Sequence, residues 1–276
     1  MKNLSIILLF IFINANTKAE DSLQYSVKYK FIKQKDSSNT FSKFEDVMIL
    51  TMTRKTSLYY SYLKQFGLRN SENDMNNNND NNGNHEVKID ANSKDRSKYF
   101  ILNETEVIQI DFAKKNKMGS DFLINKGYKY VENLDVPIWK IETITQNILE
   151  QKCQMATTSF RGRNYIAWFA TGIPFSMGPW LFNGLPGLIL KVHDDKKQFL
   201  FECMELNTQN SSTKVFKPYK NVQLIDAKKL KAKKKLLEQN IILFMQAEDG
   251  VSVTTDGGKP AVMKNKPYNP IDIYNK

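Results

Sequence analysis

The sequence predicts a mainly β protein with one C-terminal amphipathic helix (α+β), built on a curved antiparallel sheet. Apolar and polar residues alternate along several short segments, glycines and prolines cluster between apolar segments, and a lysine-rich helical pattern lies near the end. A half-barrel is one geometry that these features allow. The chain of 276 residues is 41% hydrophobic, which excludes wholesale disorder and fibrous repeats.

Residues 1–19 have the pattern of a secretory signal peptide. Lys2 precedes an apolar run from Leu4 to Ile13, and the small residue Ala19 suits cleavage. The run is shorter than the roughly twenty residues that cross a bilayer, so an uncleaved anchor is the weaker alternative. We therefore expect an exported protein of the periplasm or cell envelope, with residues 20–272 forming a single β-rich domain.

The formal net charge of +11 would suit a nucleic acid or an anionic membrane as a partner. The predicted export removes nucleic acid from the expected partners and leaves peripheral contact with a membrane. Residues at about 70–86 are dominated by asparagine and contain few groups that a core could bury. We interpret them as a disordered insertion.

Several segments of the first half are predicted strands because they alternate or are short and apolar. The polar residues 113–121 are interpreted as a turn between two of these strands. The predicted strands are Leu23–Phe31, Val47–Met52, Leu58–Leu63, Tyr99–Leu102, Val107–Phe112 and Tyr128–Val131.

The most informative segment lies in the second half. Arg163–Ala170 is apolar on both alternating faces, so it needs either a second layer of protein or a ligand cavity against one face. Gly187–Phe201 is predicted to be a hairpin with polar residues at its turn. His193, Asp194 and Asp195 are then expected to be turn residues, and no nucleophile motif accompanies them.

Rigid corners connect these two elements. Pro186 and Gly187 predict a type II turn in which Gly187 has a positive φ, and Pro174 and the Gly178-Pro179 pair fix further corners. Trp180, Phe182 and Leu185 then project from a shaped loop. Such a loop either closes the end of a barrel or sheet, or forms a recognition platform for a ligand.

A single amphipathic helix is predicted over residues 226–245, with Leu230, Leu237, Ile241 and Phe244 or Met245 on its apolar face. Six of the eight residues 228–235 are lysine. They form a solvated helix face or, alternatively, a surface for anionic headgroups or an acidic partner. Residues 256–276 are expected to be an extended tail.

The two cysteines, Cys153 and Cys203, leave two alternatives open. An oxidising compartment would allow a disulfide between them, whereas burial would keep both as free thiols. Neither cysteine has a spacing to His85 or His193 that resembles a zinc motif. We predict no metal, no cofactor and no catalytic residue.

The run from Cys153 to Val192 resembles the GLPGLI family, a group of exported proteins of Gram-negative bacteria. The motif stands here as Gly184-Leu185-Pro186-Gly187-Leu188-Ile189, and Trp139 and the ending Asn269–Asp272 are also similar to the family's pattern. The resemblance implies an envelope protein. It implies no activity and supplies no catalytic residue.

We therefore predict a nonenzymatic binding or carrier module for an apolar small molecule, a lipid or an outer-membrane protein. The alternatives are a hydrolase with a nonstandard site, in which Arg161 and Arg163 hold an anionic group, or a structural partner of an outer-membrane complex. The candidate binding residues are Arg161, Gly162, Arg163, Trp168, Pro174, Gly178, Pro179, Trp180, Phe182, Gly184, Leu185, Pro186, Gly187, Leu188 and Ile189.

Overall fold

The computed structural model describes residues 25–39, 41–62, 106–124, 126–208, 222–250, 254 and 261–272. The predicted signal peptide, the asparagine-rich insertion and the strand at Tyr99–Leu102 lie outside the described residues. Residues 261–272 of the predicted tail contain no helix or strand. In the part of the chain that is described, neither helix is long and apolar enough to cross a membrane.

The described strands form one twelve-stranded sheet that is not closed. Its order is β12-β6-β5-β4-β3-β2-β1-β11-β10-β9-β8-β7, so two meanders, β1–β6 and β7–β11, join where β1 pairs with β11. Every pairing is antiparallel except the parallel contact between β12 and β6. The strands are β1 Tyr25–Gln34, β2 Lys43–Met52, β3 Thr56–Ser61, β4 Val107–Asp111, β5 Asn116–Leu123, β6 Lys126–Asn133, β7 Lys140–Ile148, β8 Gln151–Phe160, β9 Arg163–Ala170, β10 Leu188–Asp194, β11 Phe199–Thr208 and β12 Gln223–Leu224.

The structure confirms the mainly β fold, and most predicted strands lie where the alternation indicates. The polar turn predicted over residues 113–121 is wrong, because most of it belongs to β5. Lys117 is buried in β5, and its ammonium forms an ion pair with Glu132 (Nζ to Oε2, 2.9 Å) and lies over the ring of Tyr130. Asp121 is buried by its pair with Lys234 (2.8 Å). Ion pairing lets polar residues occupy a buried strand, which hydrophobic alternation alone does not reveal.

One face of the curved sheet is covered in two regions. The first region is filled by the loop of residues 171–187 between β9 and β10, which we name the plug. The ring of Phe182 in the plug lies 4.7 Å from the ring of Tyr165 and 6.0 Å from that of Phe201, both on strands. Leu185 is equally buried, so the plug belongs to the core of the half built by β8–β11.

The type II turn predicted at Pro186 and Gly187 is wrong, because the positive φ falls at Gly184 (90°) instead. Gly187 is needed for a different reason. A Cβ at this position would lie 2.2 Å from the carbonyl oxygen of Ala170, well inside contact distance. The glycine therefore permits a close approach between the plug and the end of β9.

The single helix predicted over 226–245 is two helices, α1 Ala227–Gln239 and α2 Ile241–Asp249. Asn240 separates them with an extended backbone (φ −155°, ψ 90°), and its side chain accepts a hydrogen bond from the N–H of Leu243. It is thus the C-cap of α1 and the N-cap of α2. Leu230, Leu237 and Phe244 are buried against β5 and β6, as the amphipathic pattern predicts.

Candidate functional site

The second region of this face is only partly filled and contains a cavity of about 400 Å³. We name it the α1 cavity, because α1 covers it opposite the strands. Its apolar floor comes from five strands and comprises Phe31, Met48, Tyr59, Ile108 and Phe201. A volume of this size lies within the range of small-molecule sites in proteins.

Charged side chains form the rim of the α1 cavity, and they are paired with one another. Lys234 on α1 reaches both Asp121 (2.8 Å) and Glu106 (3.0 Å). Lys33 on β1 lies 3.5 Å from Glu238 of α1. The cavity is therefore amphipathic, with an apolar floor and a rim of ion pairs.

Tyr130 lies between the floor and the rim. Its hydroxyl donates a hydrogen bond to Glu106, and burial together with that carboxylate raises the pKa of Tyr130 well above its usual value. The side chain thus stays neutral at physiological pH. It offers a polar edge to the cavity without adding a charge.

The C-terminal residues 268–272, which we name the strap, close one side of the α1 cavity. Arg161 forms ion pairs with Asp272 of the strap (2.6 Å) and with Asp135. Lys231 of α1 also reaches Asp272 (3.3 Å). The strap is therefore held at its end by two cations from different elements.

Arg163 holds the middle of the strap. Its guanidinium donates to Asn269 (2.6 Å) and to the carbonyl oxygen of Pro270 (2.8 Å), and it pairs with the buried Asp194 (3.3 Å). Asn269 in turn donates to the carbonyl oxygen of Gln34. Both arginines that the sequence singles out thus bind groups of the chain itself.

Arg161 and Trp180, two predicted site residues that line the α1 cavity, have a left-handed backbone. Arg161 (φ 47°) and Gly162 (φ 81°) form the two-residue turn between β8 and β9, where a positive φ is expected at both positions. Trp180 (φ 53°) follows Pro179 in a turn that Phe182 closes by donating its N–H to the carbonyl oxygen of Pro179. The left-handed backbone of a bulky residue such as Trp180 is a strained conformation of a kind that occurs often at ligand sites.

The structure does not bring the other predicted site residues to the cavity. Trp168 is half-buried on β9 and is not part of the cavity wall. Gly178, Phe182 and the motif from Gly184 to Ile189 belong to the plug and the start of β10, where the apolar side chains are buried. The floor residues were not singled out in the sequence, because each is an ordinary apolar position of an alternating strand.

The candidate groups for chemistry are used structurally. Cys153 and Cys203 are buried free thiols, which is the second of the two alternatives, and burial raises their pKa values to about 11 and about 12. Asp194 accepts a hydrogen bond from the N–H of Phe199 as well as pairing with Arg163. The described residues contain no group of three or more His, Cys, Asp or Glu side chains arranged to hold a metal ion.

Comparison with known proteins gives little functional information. A family described as "Protein of unknown function (Porph_ging)" matches residues 157–191, which include β9 and the plug. No curated protein matches the chain. Two solved structures of PNGF-II are similar at 15% identity over 76% of this chain, with TM-scores of 0.49 and 0.50. The chain spans about a third of their length (32% and 33%), and the likeness at the higher TM-score shows the fold alone.

Proposed function

We propose that this chain is a GLPGLI-type exported protein of the cell envelope that binds an apolar or amphipathic small molecule, without catalysis, in the α1 cavity. The observation that carries the proposal is the cavity itself. Small-molecule sites are concave, have largely apolar walls and carry a few polar groups that orient the ligand. A pocket of about 400 Å³ with an apolar floor and a polar rim has each of these features.

The walls of the cavity favour a particular kind of occupant. An apolar body would lie against Phe31, Ile108 and Phe201, and a polar end would lie near Tyr130 and the ion pairs of Lys234. The volume equals that of about a dozen water molecules. This size suits one short apolar chain or a small ring system and is too small for a lipid with several acyl chains.

The structure gives less support to the hydrolase alternative. Such an enzyme would use Arg161 and Arg163 to hold an anionic group of the substrate. Both guanidinium groups instead bind carboxylate, amide and carbonyl oxygens of the chain. A binding protein needs only the cavity and a way to open the strap.

The test is a titration of the purified mature protein with the neutral apolar fluorophore N-phenyl-1-naphthylamine. We expect saturable binding of one probe per chain. Ile108→Trp would place a larger side chain in the floor and weaken binding at least about tenfold, because the probe and the indole compete for the same space. Circular dichroism and thermal denaturation would establish that this variant is folded.

Val131→Trp is the matched control. Val131 does not line the cavity and is 56% exposed. It follows Tyr130 in the sequence and lies on the other face of β6. The same large residue there should leave probe binding within about twofold of the wild type. Non-saturable binding, or equal affinity of the wild type and folded Ile108→Trp, would refute the proposed site.

A further inference from the structure

Strand β7 forms one edge of the sheet, and no described strand pairs with its outer side. Among the described strands it pairs with β8 only, whereas the opposite edge ends in the two-residue β12. Most β7 residues are exposed, and Ile138 just before it is 90% exposed. A long strand with unpaired backbone groups is a template for another strand.

The backbone of β7 has the orientation that such pairing requires. The carbonyl oxygens of Ile138 and Glu142 point toward β8, because they accept hydrogen bonds from the side chains of Thr158 and Gln154, each at 2.7 Å. Backbone groups of successive residues point in opposite directions along a strand. The N–H and C=O of Ile141 therefore point to the free edge.

The side chains along one face of this segment form a self-complementary pattern. The 2.8 Å ion pair between Lys140 and Glu142 shows that these two share a face, and Ile138 and Ile144 are two residues further along the sequence on either side. Ile144 is 54% exposed. The order apolar, basic, acidic, apolar is complementary to itself when a second copy runs antiparallel about Ile141.

We propose that β7 pairs with β7 of a second copy of this chain, about a two-fold axis at Ile141. Lys140 then lies opposite the partner's Glu142, Ile138 lies opposite the partner's Ile144, and Ile141 meets its own counterpart. The sheets of the two copies become continuous across this edge. The register of β7 against β8 is irregular between Ile141 and Thr145, so the pairing is strongest at the residues next to the axis, and the dimer is weak and depends on concentration.

Sedimentation velocity over about 1–500 μM protein tests the proposal. The wild type should shift from monomer to dimer in this range. Lys140→Glu and Glu142→Lys each place like charges opposite one another at two symmetry-related positions, and each should weaken the dimer about tenfold. The double reversal Lys140→Glu/Glu142→Lys should restore the wild-type dissociation constant.

Mixing the two single variants distinguishes strand pairing from a general charge effect. The Lys140→Glu chain has two acidic residues at this site and the Glu142→Lys chain has two basic ones, so an equimolar mixture should form mixed dimers at least as well as the wild type. Ile141→Lys, which places like charges on the two-fold axis, should abolish the dimer. Circular dichroism confirms folding of each variant.

A wild type that stays monomeric throughout the range would overturn the proposal. So would single reversals that leave dimerisation unchanged, or a mixture that stays monomeric. These outcomes are independent of ligand binding, because no residue of the β7 edge lines the α1 cavity.

Discussion

The plug and the cover of the α1 cavity lie against the same sheet and are held in place by different interactions. The plug is apolar and fixed by glycines at close backbone contacts, as where Gly187 meets Ala170. The α1 cavity is covered by α1 and the strap. This cover is held by ion pairs, such as Lys234 to Asp121 and Arg161 to Asp272, together with apolar packing of α1 and hydrogen bonds from Arg163 to the strap. Apolar packing thus fixes the plug, whereas charged and polar groups contribute much of what holds the cover of the cavity.

The comparison shows why the conspicuous motif is a poor guide to the ligand site. Phe182 and Leu185 are each about 1% exposed, so a ligand cannot reach them without unfolding the plug. Only Trp180 and its neighbour Leu181 extend from the plug to the cavity wall. The motif from Gly184 to Ile189 contributes no residue to the cavity wall, which is formed mainly by strands, α1 and the strap.

The largest expected effect comes from breaking the plug at Gly187. Gly187→Ala would place a Cβ 2.2 Å from the Ala170 carbonyl oxygen, so the backbone must move. We expect a loss of about 4 kcal/mol or more in the free energy of unfolding, measured by urea denaturation. Gly172→Ala is the control, because no atom lies within 4 Å of a Cβ there, and it should change stability by less than about 1 kcal/mol. Equal effects of the two substitutions would show that the close approach is not what fixes the plug.

The next largest effect is expected at Arg163, which connects the buried Asp194 with the strap. Arg163→Ala leaves the fully buried carboxylate of Asp194 without its guanidinium and frees the middle of the strap. We expect a loss of about 3–5 kcal/mol by urea denaturation. Arg163→Ala/Asp194→Asn removes the uncompensated charge and should recover part of that loss. No recovery would indicate that Arg163 acts through the strap alone.

The smallest effect concerns the thiols. Burial raises the pKa of Cys153 to about 11 and that of Cys203 to about 12, from an ordinary value of 9.0. The folded protein therefore keeps protons that the unfolded chain releases, and this contribution to stability is full below about pH 9 and is lost as the pH rises toward 11 and 12. Between pH 9 and pH 10 the decline should be on the order of 2 kcal/mol for the two thiols together, and it should shrink in Cys153→Ala/Cys203→Ala. A pH profile identical for both proteins would contradict the assignment.

The sequence predicts β1, β4, β9 and the β10–β11 hairpin well because alternation reports which side chains face the core, but it predicts neither β7 nor β8. Val27, Tyr29 and Phe31 of β1 are all buried, as their spacing indicates. It fails at β5, where Lys117 and Asp121 are buried through partners on β6 and α1 that are distant in sequence. It also fails at Asn240, whose side chain ends one helix and begins the next.

The candidate site was harder to predict for the same reason. Arg161 and Trp180 stand out in the sequence and do line the cavity, but Tyr59 and Ile108 resemble any buried strand residue. What makes them floor residues is an empty space, and that space depends on where α1 and the strap lie. Local sequence patterns contain no information about an unfilled volume between distant elements.

The most direct test of a ligand site in the α1 cavity is native mass spectrometry of the protein purified from its own cells. We predict a reproducible added mass of one small molecule per chain, which is lost in folded Ile108→Trp and kept in Val131→Trp. A wild-type protein that carries no added mass and binds none of an added apolar extract would contradict the account.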